Sequence, residues 1–199
     1  MIGRCSIKLM KTSTEKEKVT FSNYADFRKW TETQAGYWIL VRGEPMPSPS
    51  PSRIHQELSK RIQLALIQAV ETKKLGRVYY APLDVELAGD TVYQPDLLVV
   101  LNAHTDRMQR THIKGAPDLI VEILSRSTAK LDLVDKRYDY AAAGVSEYWI
   151  IDPETETVEI YALESGALSL KFTARESGNI TSIVLPHLTI DLIQLFADL

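Results

Sequence analysis

In Asp118-Leu119-Ile120-Val121-Glu122-Ile123-Leu124, Asp118 opens an apolar run that is broken internally by a single carboxylate, Glu122. A short run of Leu, Ile and Val with no polar face predicts a strand covered on both sides, at the centre of a sheet. Alternation sets Ile120, Glu122 and Leu124 on one face, and Leu119, Val121 and Ile123 on the other. Downstream, residues 131–143 read as a helix closed by Gly144 at its C′ position. Strands are expected over 147–151 and 157–162, around the turn Asp152-Pro153-Glu154, with short strands at 168–173 and 180–185. Residues 188–199 read as a small amphipathic helix.

Upstream, residues 78–87 and 92–101 alternate, and Gly89-Asp90 between them predicts a hairpin. Residues 102–115 form a polar loop or short helix. A longer helix is expected over 53–73, because Ile54, Leu58, Ile62, Ala65, Leu66 and Ala69 fall on one arc. Before it, Pro and Ser alternate over 45–52 and read as a stiff loop. A short helix at 21–33 carries Tyr24, Phe27 and Trp30, and a strand at 38–41 follows. No repeat is present. The fold class is mixed α+β or α/β, a mixed central sheet flanked by helices.

The chain has 199 residues, enough for one domain with a sizeable core. We expect a flexible tail over 1–18, rich in lysine, and a single domain over 19–199. The single cysteine, Cys5, excludes an internal disulfide and a Cys-rich zinc site, so the default compartment is cytoplasmic. No apolar stretch is long enough for a membrane span, and no secretion signal is evident. The net charge of −3 excludes a strongly basic coat, so any nucleic-acid contact is local. The nine glycines form neither G-x-G-x-x-G nor G-x-x-x-x-G-K, and no G-x-S-x-G occurs. Nucleotide-cofactor and serine-hydrolase chemistry therefore lack their signatures.

Glu122 is the least expected residue, because a carboxylate on a central strand is costly to bury unless it is protonated or meets a cation. A strand-end Glu paired with arginine is the plain alternative. Asp96, in Gln94-Pro95-Asp96, is by itself a turn former. Beside Glu122 on a neighbouring strand it makes a hard-oxygen pair suited to Mg²⁺ or Mn²⁺. Asp132, Lys136 and Tyr140 are spaced by four and share one helix face. That face is either a solvated Asp–Lys pair or a lysine aimed over the sheet at the carboxylates. His55 falls inside the apolar arc of its helix, as a satisfied core histidine or a pocket-facing acid, base or phosphate contact. Glu44, before the Pro-Ser stretch, is a third candidate carboxylate or a solvated loop residue. His104, His112 and His187 have no ligand spacing and are expected at the surface. Between Arg107 and Arg137, seven basic side chains outnumber four acidic ones. That is a local excess of positive charge around the expected site, or a chance cluster on a solvated face.

Four segments occur in a telling order. They are Gln94-Pro-Asp-Leu-Leu-Val-Val100, Gly115-Ala-Pro-Asp-Leu-Ile-Val-Glu-Ile-Leu-Ser125, Asp135-Lys-Arg-Tyr138 and Gly144-Val-Ser-Glu-Tyr-Trp-Ile-Ile-Asp-Pro153. The sequence resembles the Uma-type restriction endonucleases, a branch of the PD-(D/E)XK nuclease superfamily. The likeness covers roughly residues 21–199, including the proline-bounded stretch before His55 and Leu188-Thr-Ile-Asp-Leu192.

The resemblance implies a restriction-endonuclease-like fold and Mg²⁺- or Mn²⁺-dependent hydrolysis of DNA. Asp96 and Glu122 match the metal ligands, with the backbone carbonyl of Ile123 as the remaining protein ligand. The superfamily's lysine stands two residues after the Glu, where this chain has Leu124. The resemblance suggests that Lys136 has taken over. His55, Glu44 and Tyr140 are accessory candidates. A small domain of little net positive charge would grip a polyanion better as a homodimer. The rival readings are a catalytically silent nucleic-acid-binding or protein-interaction module, and a hydrolase of small phosphate esters.

Overall fold

The computed structural model describes residues 19–125 and 131–199. The expected tail over 1–18 lies outside the described residues, as do Arg126 and Lys130. Two sheets organise the fold. The larger contains β3 (Gly76–Tyr80), β6 (Leu97–Leu101), β8 (Leu119–Ile123), β9 (Glu147–Asp152), β10 (Thr157–Glu164) and β11 (Ala167–Arg175), in the order β11-β10-β9-β8-β6-β3. It is mixed, because β8 pairs antiparallel with β6 and parallel with β9. A parallel neighbour requires a crossover, and the helical residues between β8 and β9 lie on that connection.

The alternation expected for β8 holds. Leu119, Val121 and Ile123 pack with Leu58, Ile62 and Leu66 of α2 (Arg53–Val70). Ile120 faces the opposite core, with Tyr140 of α3 (Arg137–Ala143) and Tyr148 of β9. Gly144 closes α3 at φ 94°, ψ 28°, a left-handed turn that suits glycine. The turns ahead of α3, Leu131–Lys136, are a π-helix, a wider winding that often marks functional sites.

The second sheet contains β1 (Tyr37–Val41), β2 (Glu44–Ser48), β4 (Val85–Ala88), β5 (Thr91–Tyr93) and β7 (Ile113–Lys114), in the order β2-β1-β5-β4-β7. Phe27 of α1 (Tyr24–Thr31) packs onto it against Leu40 and Val92. The turn at Gly89-Asp90 is present, but each expected hairpin arm is split between the two sheets. β4 and β5 pair in this sheet, while β3 and β6 pair in the larger one. Pro82 and Pro95 stand at the breaks, where a residue without N–H cannot continue a ladder. The Ala81 amide donates to the Asp96 carbonyl at 3.0 Å and holds the arms together there.

Two other expectations change. Residues 44–48 are strand β2 instead of loop. Pro45 and Pro47, spaced by two, point their nitrogens the same way, and β2 is an edge strand where missing donors go unneeded. At the C-terminus the expected helix is shortened to α4 (Leu192–Phe196). It is preceded by β13 (Thr189–Asp191), which pairs with β12 (Asn179–Thr181).

Glu147 is fully buried, and the sequence reading passed over it as an ordinary strand start. It accepts from Trp149 Nε1 at 2.6 Å, Ser182 Oγ at 2.7 Å and the Val184 amide at 2.7 Å. The Ile183 amide also donates to it, at 3.0 Å and 3.1 Å to its two oxygens. Its position is structural, because it ties β9 to the 182–185 turn. Glu147→Ala is expected to lower unfolding stability by about 3 kcal/mol, since several buried donors lose a charged acceptor. Urea titration measures this, and an unchanged midpoint would contradict the assignment.

Candidate active site

Asp96 follows Pro95 and stands one residue before β6. Glu122 lies near the end of β8. The register Leu97↔Val121, continued by one step, sets Asp96 across from Glu122. Asp96 Oδ2 accepts the Ile123 amide at 2.7 Å and lies 3.1 Å from His55 Nε2. His55 sits in the first turn of α2, where Ser52 caps the helix by accepting the His55 amide at 3.2 Å.

Lys136 comes from the π-helix and reaches the same place. Its Nζ is 2.8 Å from Glu122 Oε1 and 2.8 Å from Asp132 Oδ1. It also lies 5.7 Å over the Tyr93 ring. Tyr140 OH donates to Glu122 Oε1 at 2.7 Å. The side chains of Glu122 and Lys136 are only 4% and 8% exposed, so the lysine is a buried partner of the sheet carboxylate and not a solvated helix pair. Asp96, Glu122, Ile123, His55, Asp132 and Lys136 line one cavity of about 1080 Å³.

Burial raises the Glu122 carboxyl to about 8, helped by the charges of Asp132 and Asp96 and opposed by Lys136. Burial disfavours the Lys136 ammonium, but Glu122 and Asp132 outweigh it and push its pKa up, so it stays charged. Burial likewise drives the Tyr140 hydroxyl well above its ordinary value, and Glu122 adds to the shift. Burial works against a charged His55, yet the hydrogen bond to Asp96 and that carboxylate's charge raise its pKa overall.

A divalent cation fits this arrangement. Three carboxylates, Asp96, Glu122 and Asp132, face Lys136 and His55, so the cluster holds a proton on Glu122 that a cation would displace. Asp132 Oδ1 is buried and accepts no well-aligned hydrogen bond, although Lys136 Nζ is close. An oxygen-only donor set without thiolate suits Mg²⁺ or Mn²⁺. Among the described residues no group of three or more His, Cys, Asp or Glu side chains is arranged to hold one ion. Asp96, Glu122 and the Ile123 carbonyl would thus need water to complete a coordination shell, which Mg²⁺ ordinarily retains.

The model of the Uma2 family, described as "Putative restriction endonuclease", matches residues 24–192. The chain belongs to the Uma2 family. No curated protein gives a match. Among solved structures, one described as "a putative nuclease belonging to DUF820", from Anabaena variabilis, superposes with a TM-score of 0.69 at 18% identity. The match covers 85% of this chain and 96% of that one, and it supports the restriction-endonuclease-like fold.

Other expected residues of this Uma2 chain lie elsewhere. Glu44 opens β2 opposite Val41 and does not line the cavity. Of the seven basic residues expected around the site, Lys136 lines the cavity, Arg107, Arg110, Lys114 and Arg137 do not, and Arg126 and Lys130 lie outside the described residues. Arg107 is bound to the Ala116 carbonyl, Lys114 lies 4.0 Å from Glu86, and Arg137 covers the Tyr161 ring. The three histidines expected at the surface are partnered. His104 Nδ1 is 2.7 Å from Asp118, His112 Nε2 is 3.2 Å from Glu86, and His187 Nε2 is 2.9 Å from the Ala69 carbonyl. Asp132 is the site residue that the sequence reading did not single out. Its spacing of four from Lys136 was the available signal.

Proposed function

We propose that this protein is a divalent-metal-dependent endonuclease that hydrolyses phosphodiester bonds in DNA, acting in the cytoplasm as a homodimer. The observation that carries the reading is the convergence of Asp96, Glu122 and Lys136 on one cavity. Asp96, Glu122 and the Ile123 carbonyl would hold Mg²⁺ or Mn²⁺. Such an ion, when bound, supplies charge that polarises a phosphoryl oxygen and lowers the pKa of water.

The chain's own groups have distinct parts. Lys136 remains an ammonium, so it stabilises charge growing on the phosphate and does not serve as the base. Glu122 must lose its proton before it can ligate a cation. Tyr140, held as a phenol, fixes the Glu122 carboxylate from behind. His55 fixes Asp96 through their contact at 3.1 Å. Glu44 has no part in this scheme.

A second reading has one observation in its favour. Lys136 is already engaged by Glu122 and Asp132, as it would be in a silent module that kept the fold. Supercoiled plasmid incubated with Mg²⁺ or Mn²⁺ separates the two. The nuclease nicks and linearises it and stops in EDTA. Plasmid left intact with every divalent ion tried would reject the nuclease in favour of the silent module. The homodimer is tested separately by light scattering, which should return twice the 22.5 kDa chain mass. A monomer mass at high concentration would reject it.

A further inference from the structure

Two aromatic side chains stand open at the cavity that holds Glu122. Tyr37, at the start of β1, and Tyr80, at the end of β3, both line it and are 57% and 58% exposed. Neither makes a hydrogen bond or ring contact with the described residues. Elsewhere the tyrosines interlock: Tyr140 packs edge-on against Tyr93 and Tyr148 at 5.6 Å and 5.2 Å. Backbone register brings Tyr80 near Asp96 and Tyr37 near the segment that leads to His55. Tyr80 pairs with Leu97, the neighbour of Asp96. Tyr37 pairs with Ser48, which leads into the segment before His55. Both rings are carried at strand ends.

The electrostatics of the cavity point the same way. Among the described residues its lining carries six Asp and Glu side chains against three Lys and Arg. A polyanion would gain little there from its phosphates alone. The carboxylates are also deep: the Glu122 and Asp132 side chains are 4% and 2% exposed. In a closed duplex each phosphate is held on a stiff, wide rod. An unpaired nucleotide can splay, stack its base on an aromatic ring and lower its phosphate into a pocket.

We infer that the cavity takes unpaired nucleotides, in single-stranded DNA or a locally opened duplex. The bases stack on Tyr37 and Tyr80 while the phosphate reaches Asp96 and Glu122. This rests on the nuclease reading and names its substrate class.

Fluorescence anisotropy tests it with Ca²⁺ as the divalent ion. The probes are a labelled strand of about 15 nucleotides, the same strand in a full duplex, and that duplex with a central unpaired bubble. The strand and the bubble should bind at least about 10-fold tighter than the duplex, and Tyr37→Ala and Tyr80→Ala should each weaken strand binding by about 5- to 100-fold. Tyr→Phe at either position should restore it, because the ring and not the hydroxyl does the binding. Equal affinity for strand and duplex, with both alanine variants binding like the parent, would overturn the inference. Plasmid cleavage would then still stand as evidence for a nuclease of closed duplex. Absence of binding to all three probes would also overturn it, and the plasmid assay alone would then decide whether the nuclease reading survives.

Discussion

Glu122→Gln is expected to abolish Mn²⁺ binding at the cavity and to lower DNA cleavage by about 10³-fold or more, the loss that follows when a site can no longer hold its ion. The amide keeps the shape of the side chain and can still accept from Tyr140, so the fold should persist. Two pH effects accompany the change. In the parent, Mn²⁺ competes with the proton on Glu122, so apparent affinity should strengthen with rising pH until about 8 and then level off. The sign for stability is opposite. The folded carboxyl is raised from 4.5 to about 8, so the folded state holds a proton that the unfolded state releases. This contribution is fully present below 4.5 and is lost as pH climbs through about 8. Urea titrations of the metal-free parent should therefore show stability falling across that window, and Glu122→Gln should remove this part of the slope. A variant that binds Mn²⁺ and keeps the parent's pH slope would contradict the role given to Glu122.

Lys136→Ala carries the second large effect. It leaves Glu122 and Asp132 buried without their cation, and breaking a buried pair in this way costs about 3–5 kcal/mol. The remaining carboxyls then hold their protons more strongly, so metal binding is best compared at alkaline pH. For folded protein, single-turnover cleavage should drop by about 10²–10⁴-fold while duplex and single-strand affinity change little. The two losses are separable. Melting curves report the structural part, and cleavage measured well below the melting temperature reports the chemical one. If the variant is destabilised but cuts at the parent rate, Lys136 serves only as a counter-ion for Asp132 and Glu122.

The central strand was legible because six residues, Leu119 to Leu124, with one polar interruption leave few alternatives, and the apolar arc of α2 was legible because its period is local. The closeness of Asp96 and Glu122 followed from two predicted strands being neighbours, which β6 and β8 are. The division of the hairpin was not readable. It depends on two sheets competing for the same arms, and nothing near Pro82 or Pro95 announces a second sheet. Asp132 was hidden for a related reason. On a regular helix it is one half of a surface pair, and only the π-helix and the β8–β9 crossover carry it beneath the lysine. Of the basic residues between Arg107 and Arg137, Lys136 reaches the cavity while Arg107, Arg110, Lys114 and Arg137 do not, because closeness along the chain is not closeness to the cavity. Side-chain contacts such as His112–Glu86 join residues far apart in sequence and leave no local trace.

The metal pair itself is most directly tested by anomalous diffraction from crystals soaked in Mn²⁺ at alkaline pH, where Glu122 has lost its proton. An anomalous peak is expected within about 2.0–2.6 Å of carboxylate oxygens of both Asp96 and Glu122. A saturated soak with no peak between these two side chains, or with Mn²⁺ bound only elsewhere on the protein, would contradict it.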